Sequence, residues 1–164
     1  MQQKHWIYVA ALALVLGTLP VRAQKADKKD EAYRQMSELL EKGDYSFRVQ
    51  NINPRRGRTI TPTSLYTMDA KEGYLKAHLP YFGRAFSASY GGDGGIEFEG
   101  KPDSFEIEKN DNRRQITIEF DIEGKNDSYT ATLQVGYSGY GTLTISSQKR
   151  ESISYYGTIV EPAP

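Results

Sequence analysis

From Tyr45 to Val160, apolar side chains recur at every second position, which is the spacing of β-strands that bury one face. Gln115–Glu123 is the clearest segment, because its isoleucines and phenylalanine alternate strictly with polar residues. Segments of this kind predict about eight to ten strands. The predicted inward-facing sets include Ile116, Ile118, Phe120 and Ile122; Tyr129, Ala131, Leu133 and Val135; and Leu75, Ala77 and Leu79.

The links between these segments are short and rich in turn-forming residues, as in Gly136-Tyr137-Ser138-Gly139 and Asn110-Asp111-Asn112. Short links join antiparallel neighbours, because a parallel crossover needs a dozen or more residues. The sequence therefore predicts a mainly β domain over residues 44–164. We expect an up-and-down antiparallel meander, curled into a closed or nearly closed lipocalin-like barrel that protects its edge strands.

One amphipathic helix is predicted before the strands, over residues 24–43. Ala32, Tyr33, Met36, Leu39 and Leu40 fall at helical spacing in an otherwise charged segment. Gly43 follows at the position where a glycine in the left-handed conformation ends a helix.

Residues 1–23 have the pattern of a cleaved secretory signal. Lys4 precedes an apolar stretch of about 14 residues, and Val21 and Ala23 lie three and one places before Gln24. The stretch is shorter than the roughly 20 residues that a transmembrane helix needs. We therefore expect an exported, soluble protein without a membrane span, located in the periplasm or outside the cell.

Charge and cysteine content narrow the class of protein further. Removal of residues 1–23 takes away Lys4 and Arg22 and no acid, so 19 basic residues face 21 acidic ones and the net charge is about −2. This balance argues against nucleic acid as a partner. The chain has no cysteine, so disulfides are excluded and stability has to come from a packed core.

The residues that familiar enzyme chemistries require are missing after the signal segment. Only one histidine, His78, is left, and it lies on the polar face of its predicted strand. Calcium has candidate ligands in Asp93, Glu97 and Glu99, but their spacing is not that of a known calcium loop and the two glutamates fall on a predicted solvent face. The sequence predicts a protein that is not an enzyme and has no metal and no cofactor.

Two long loops, residues 51–63 and 81–95, interrupt the regular strand spacing. Loops of this length within a compact domain are commonly functional. The first contains a cluster of arginines that could bind an anionic group through paired hydrogen bonds, and the second contains aromatic and charged side chains. The candidate ligand or partner contacts are Arg55, Arg56, Arg58, Tyr81, Phe82, Arg84 and Asp93.

Four short motifs together resemble the family named domain of unknown function 4251, which consists of small secreted proteins of Bacteroidetes-type bacteria. Their order and spacing carry the resemblance, which extends from about Tyr45 to Glu161. It implies a Gram-negative envelope setting and one β-rich domain with a leading helix, and it assigns no catalytic residue. The motifs are Arg55-Arg56-Gly57-Arg58, Leu79-Pro80-Tyr81-Phe82-Gly83-Arg84, Gly94-Gly95-Ile96-Glu97-Phe98-Glu99-Gly100 and Ile153-Ser154-Tyr155-Tyr156-Gly157-Thr158-Ile159.

Three functions stay open at this stage. The first is binding of a small or lipid-like ligand by the barrel, since barrels of about eight strands have room for side chains or one small ligand. The second is an interaction module that binds a glycan or an envelope protein through exposed tyrosines and the arginine loop. The third is a hydrolase that relies on carboxylates alone.

Overall fold

The computed structural model describes residues 20–86, 94–125 and 127–162, with side chains described from residue 27 onward. It contains one helix, α1, and nine strands. The helix spans Pro20–Lys42, and the strands are β1 (Tyr45–Pro54), β2 (Thr67–Lys71), β3 (Tyr74–Leu79), β4 (Ile96–Gly100), β5 (Ser104–Asn110), β6 (Gln115–Glu123), β7 (Ser128–Gly136), β8 (Tyr140–Ser146) and β9 (Ile153–Val160).

All nine strands form one antiparallel sheet in the order β4-β3-β2-β1-β9-β8-β7-β6-β5. The sheet curls into a half-barrel. The prediction of a mainly β meander with a leading helix is confirmed. The first and last strands of the chain, β1 and β9, lie in the middle of the sheet and pair along most of their length. The edge strands of the sheet are β4 and β5, so the opening lies between them and not between the ends of the chain.

The two ends of the sheet meet at one described position, an isolated bridge between Phe98 in β4 and Gly124 just after β6. Three residues, Lys101 to Asp103, connect β4 to β5, and the chain pairs with a different neighbouring strand on each side of this link. β4 pairs with β3, whereas β5 pairs with β6. β5 therefore runs past the end of β3, and most of its side chains are exposed.

The concave face of the sheet holds the core, and the predicted alternation is visible in β6, β7 and β3. Phe98 packs edge-on against Phe120, with ring centroids 6.1 Å apart. Tyr155 is buried while Tyr156, its neighbour in β9, is exposed on the outer face, as adjacent strand residues must be. The largest fully buried side chains are Tyr45, Tyr155, Phe47, Phe120, Leu40, Ile52, Met68, Leu79, Ile96, Ile116, Ile118 and Ile122.

Helix α1 covers one end of the barrel, which we call the helix end. Tyr33 donates a hydrogen bond to Asp111 in the β5–β6 turn over 2.9 Å, and Arg114 in that turn pairs with Asp30. Leu40 is fully buried against the core. The helix ends as predicted, because Gly43 has φ +69° and its N–H donates to the carbonyl of Leu40 over 3.1 Å.

The predicted signal segment, residues 1–23, lies outside the described residues except for its last four, which belong to α1. Across the described part of the chain, no helix has the length and apolar content that a membrane span requires. The predicted cleavage after Ala23 stays a prediction.

Candidate functional site

An apolar pocket of about 330 Å³ opens at the helix end. It lies between the last turn of α1, the β2–β3 hairpin and the start of β5. Its walls are mainly carbon, with charged groups at the rim. The lining residues are Leu40, Glu41, Lys42, Gly43, Tyr45, Ala70, Gly73, Tyr74, Leu75, Lys101, Pro102 and Phe105.

The pocket exists because β5 loses its neighbour on one side. Phe105 pairs with Phe120 across the β5–β6 ladder and points toward the interior, yet 45% of its surface is exposed. Leu75 and Ala70, on the strands opposite, are almost completely buried. Because β5 splays away from the sheet, its half-exposed Phe105 forms one wall of the pocket, and the buried Leu75 and Ala70 form the other.

The hydroxyl of Tyr45 is the unusual polar group of this pocket. Tyr45 is 1% exposed, and its Oη has no hydrogen-bond partner among the described residues. Burial raises the pKa of this phenol, so the group stays neutral and keeps its proton. Buried hydroxyls normally have a partner, and an unpaired one is a place to look for a missing ligand or water.

Charged side chains surround the mouth of the pocket without entering it. Glu41 pairs with Lys109 of β5, and Lys101 lies 5.8 Å from the ring centre of Tyr74. The rim is thus polar while the walls are apolar, an arrangement that is common in small-molecule sites.

A second candidate surface lies at the opposite end of the barrel, which we call the loop end, and Arg150 holds it together. Its Nη1 donates to the carbonyls of Gly94 and Gly95 over 2.7 and 2.8 Å. Its guanidinium carbon lies 5.2 Å from the centre of the Tyr81 ring, and its Nε lies 3.9 Å from the buried carboxylate of Asp127. Arg150 therefore links the segment between β3 and β4 to the turn between β6 and β7 at the loop end.

Three of the seven contact residues predicted from the sequence, Arg56, Tyr81 and Arg84, meet at the loop end around Glu151. Arg56 Nε lies 3.8 Å from the Glu151 carboxylate, and the Glu151 N–H donates to the carbonyl of Arg84 over 3.0 Å. The Tyr81 hydroxyl lies within hydrogen-bond distance of the carbonyls of Arg84 and Glu151, at 2.9 and 3.0 Å. The two predicted loops are thus one surface. Arg55 and Arg58 lie in the same turn as Arg56 and are exposed, Phe82 is half exposed, and Asp93 lies outside the described residues.

Sequence reasoning missed the pocket and Arg150. Phe105 and Ile107 alternate with polar residues as in any regular strand, and nothing in this alternation indicates that β5 leaves the barrel. Leu40 and Tyr45 flank Gly43, and an apolar residue on each side of a helix-ending glycine is a local signal that the two sides pack together.

His78 sits beside an acid, as a catalytic base would, but on the outer face of the sheet. Its Nδ1 lies 2.7 Å from Glu97, which also lies 3.6 Å from Lys125. These residues line an open polar groove of about 520 Å³ where β4 meets β6. Within residues 20–86, 94–125 and 127–162, no three His, Asp or Glu side chains lie close enough together to hold a metal ion.

Comparisons with known proteins give a family and a fold. The family model described as Domain of unknown function (DUF4251) matches residues 27–159. The chain is also similar to the crystal structure of a DUF4251 family protein from Bacteroides eggerthii DSM 20697, with 18% identity and a TM-score of 0.59. That match covers 79% of this chain and 87% of the other, and at this identity it supports the fold alone. No curated protein matches the chain.

Proposed function

The chain belongs to the DUF4251 family, a domain of unknown function, and from this premise we propose that it binds a small, mainly apolar ligand at the helix end without catalysing a reaction. The single observation behind this proposal is the unpaired, buried hydroxyl of Tyr45, a residue that lines this mainly apolar pocket. A ligand that brings a hydrogen-bond acceptor to this hydroxyl relieves the cost of leaving it unpaired.

The dimensions of the pocket limit the ligand. A volume of about 330 Å³ is near the lower limit for small-molecule sites. If each non-hydrogen atom occupies about the 30 Å³ that a water molecule takes, the pocket holds roughly 11 such atoms. A ligand of this size binds with a Kd of roughly 0.1 to 1 mM at about 0.4 to 0.5 kcal/mol per atom.

The ligand we propose has an apolar body and one carbonyl, ether or ester oxygen. Leu40, Leu75 and Phe105 contact the body, and the oxygen accepts a hydrogen bond from the hydroxyl of Tyr45. A short-chain ketone, an aryl ketone and the ester end of a lipid all have this chemistry. A cation is a poor match, because the neutral phenol and the carbon walls offer it no counter-charge.

Isotope-labelled protein tests this proposal by nuclear magnetic resonance. Acetophenone is a suitable probe, and cumene is its nearly isosteric partner without an acceptor oxygen. We expect acetophenone to shift the methyl signals of Leu40, Ala70 and Leu75 and to bind several-fold tighter than cumene, and Tyr45→Phe to abolish that preference.

A blocked pocket provides the control. Ala70→Leu places a larger side chain in the pocket and should abolish binding, whereas Ala85→Leu adds the same atoms at an exposed position of the loop end and should not. The proposal fails if neither probe moves the pocket methyls of the wild-type protein up to its solubility limit.

Export is part of the proposal and rests on the sequence of residues 1–23. A protein isolated from the periplasm or the medium of a Gram-negative host should begin at Gln24. N-terminal sequencing of the exported protein decides this point, and an intact Met1 on that protein would contradict it.

Glycan binding is a second candidate function, and one observation favours it. Tyr140 and Tyr156 are exposed on the outer face of β8 and β9 and stack with ring centroids 5.9 Å apart and planes 11° apart. Exposed aromatic rings are common sugar platforms because they pack against the apolar faces of sugar rings. A glycan array on the wild-type protein and on Tyr156→Ala tests it. The hydrolase alternative is tested by turnover of an ester, glycoside and peptide panel.

A further inference from the structure

We propose that the loop end docks on the surface of an anionic lipid bilayer, with Phe82 and Phe86 inserted at the level of the head groups and the neighbouring arginines bound to lipid phosphates. The two phenylalanines are 50% and 65% exposed, and both lie on the segment that follows β3. Exposed large apolar side chains grouped at one end of a protein indicate a docking surface.

The segment that carries the phenylalanines is held firmly, so their exposure is built into the fold. The Phe86 N–H donates to the carbonyl of Lys149 over 2.8 Å, and Ala85 forms a β-bridge with Arg150. Tyr81 fastens the other end of the segment through its hydroxyl contacts with the carbonyls of Arg84 and Glu151. These contacts hold the backbone from Tyr81 to Phe86 against the β8–β9 loop.

The side chains of this short segment differ in exposure. Tyr81 turns inward under Arg150, whereas Phe82, Arg84 and Phe86 are exposed. A Cβ atom at Gly83 would overlap the Tyr81 ring, and this lack of space requires glycine at this position. An aromatic, a cationic and a second aromatic side chain thus follow one another at exposed positions.

The exposed charged side chains beside the phenylalanines include four arginines. Arg55, Arg58 and Arg84 are exposed and form no ion pair with any described residue. Arg56 is 77% exposed and approaches Glu151, whose own side chain is only 9% exposed. Cations beside aromatic anchors match a surface of lipid phosphates, which attracts each lysine or arginine that comes near it.

A bilayer fits this surface better than a protein partner does. A stable protein interface needs a contiguous complementary face of about 800 Å² on each partner, with an apolar centre. The loop end instead offers two separate rings with arginines around them, and each ring can insert between lipids independently. The pocket lies at the opposite end and stays accessible during docking.

Co-sedimentation with lipid vesicles tests the proposal. We expect the protein to pellet with vesicles of phosphatidylglycerol and phosphatidylcholine, and not with phosphatidylcholine alone. Phe82→Ala and Phe86→Ala should each weaken binding about tenfold or more, and Arg58→Gln or Arg84→Gln about fivefold each. Binding should fall as salt reduces the Debye length from about 10 Å at 0.1 M to about 3 Å at 1 M.

Matched substitutions elsewhere on the surface serve as controls. Tyr140→Ala removes an exposed aromatic ring from the outer wall, and Arg113→Gln removes an exposed cation from the helix end. Neither should change vesicle binding. Circular dichroism establishes that each variant is folded.

Three results would overturn the proposal. One is equal binding to neutral and anionic vesicles. Another is vesicle binding that the Phe82 and Phe86 substitutions leave unchanged. The third is absence of vesicle binding by folded wild-type protein. If that protein instead binds a poly-glutamate peptide, the surface is assigned to an acidic protein partner.

Discussion

Phe98 in β4 and Gly124 after β6 form the bridge at which the two ends of the sheet meet. The contact is so close that a Cβ atom at Gly124 would lie 2.5 Å from the Tyr129 ring and still closer to the carbonyl of Glu97. Glycine at this position therefore allows the half-barrel to curl as far as it does.

The first prediction concerns this contact. Gly124→Ala should destabilise the protein by about 1 to 3 kcal/mol, because the backbone and the Tyr129 ring have to move apart. Urea denaturation measures the change. Gly100→Ala is the matched control, since nothing lies within 4 Å of its added Cβ, and its effect should stay within about 0.5 kcal/mol. Equal effects of the two substitutions would show that the close approach is unimportant.

The second prediction compares two buried tyrosines with opposite hydrogen-bonding states. The Tyr155 hydroxyl donates to the carbonyl of Pro80 over 2.9 Å, whereas the Tyr45 hydroxyl has no described partner. Tyr45→Phe should stabilise the ligand-free protein by about 1 kcal/mol, and Tyr155→Phe should destabilise it by about the same amount. Thermal and urea unfolding measure both. A loss of stability in Tyr45→Phe would mean that its hydroxyl is already satisfied.

The third prediction concerns the buried cation at the loop end. Arg150→Met removes the partner of Asp127, whose side chain is 4% exposed, and should cost about 3 kcal/mol. Asp127→Asn in the same chain should recover part of this loss, because the uncompensated charge disappears. A double-mutant cycle in urea measures the coupling, and strictly additive effects would contradict it.

The fourth prediction is an alkaline transition. Burial raises the pKa of Tyr45, Tyr129 and Tyr155 above the ordinary value of 10.0. Such phenols stabilise the fold fully below the unfolded pKa near 10, and this stability is lost as the pH rises toward the folded values. We expect unfolding to accompany their ionisation. Tyrosinate absorbance and circular dichroism recorded on one sample should change together, and ionisation of all tyrosines without unfolding would refute the prediction.

The fifth prediction concerns Asp121 on the outer face of β6. Hydrogen bonds from Thr130 and Ser104, at 2.6 and 2.7 Å, lower the pKa of its carboxyl below 3.8. Its stabilising effect is present above the unfolded pKa near 3.9 and is lost as the pH falls through the lower folded value. Thr130→Val should raise this pKa in a magnetic-resonance titration, and Thr132→Val, one pleat further along β7, should not.

The fold was largely predictable, because a strand that buries one face has an apolar residue at every second position. The alternation in Gln115–Glu123 predicted β6 with its bounds, and Gly43 predicted the end of α1. The four motifs also led to the family that the family model matches. β3 stops at Leu79, directly before Pro80, which has no N–H to donate to a strand ladder.

The sites were harder to predict because they depend on where the sheet fails to close. The alternation of Phe105 and Ile107 is the same whether β5 is covered or splayed, so this alternation does not reveal the pocket. The loop residues were recognisable by composition, but only the contacts of Glu151 bring Arg56 and Tyr81 together. At Gly83, close contact with the Tyr81 ring and not a positive φ requires glycine.

The change of partner at Lys101 to Asp103 has a consequence for how the chain can be divided. Every hairpin of the sheet lies wholly before this link or wholly after it, and β1 with β9 is the one strand ladder that crosses between the two parts. A polypeptide cut at the link thus gives two fragments, each with its local pairings intact. Reassembly of such fragments would have to restore that ladder together with the two isolated bridges, Phe98 with Gly124 and Ala85 with Arg150.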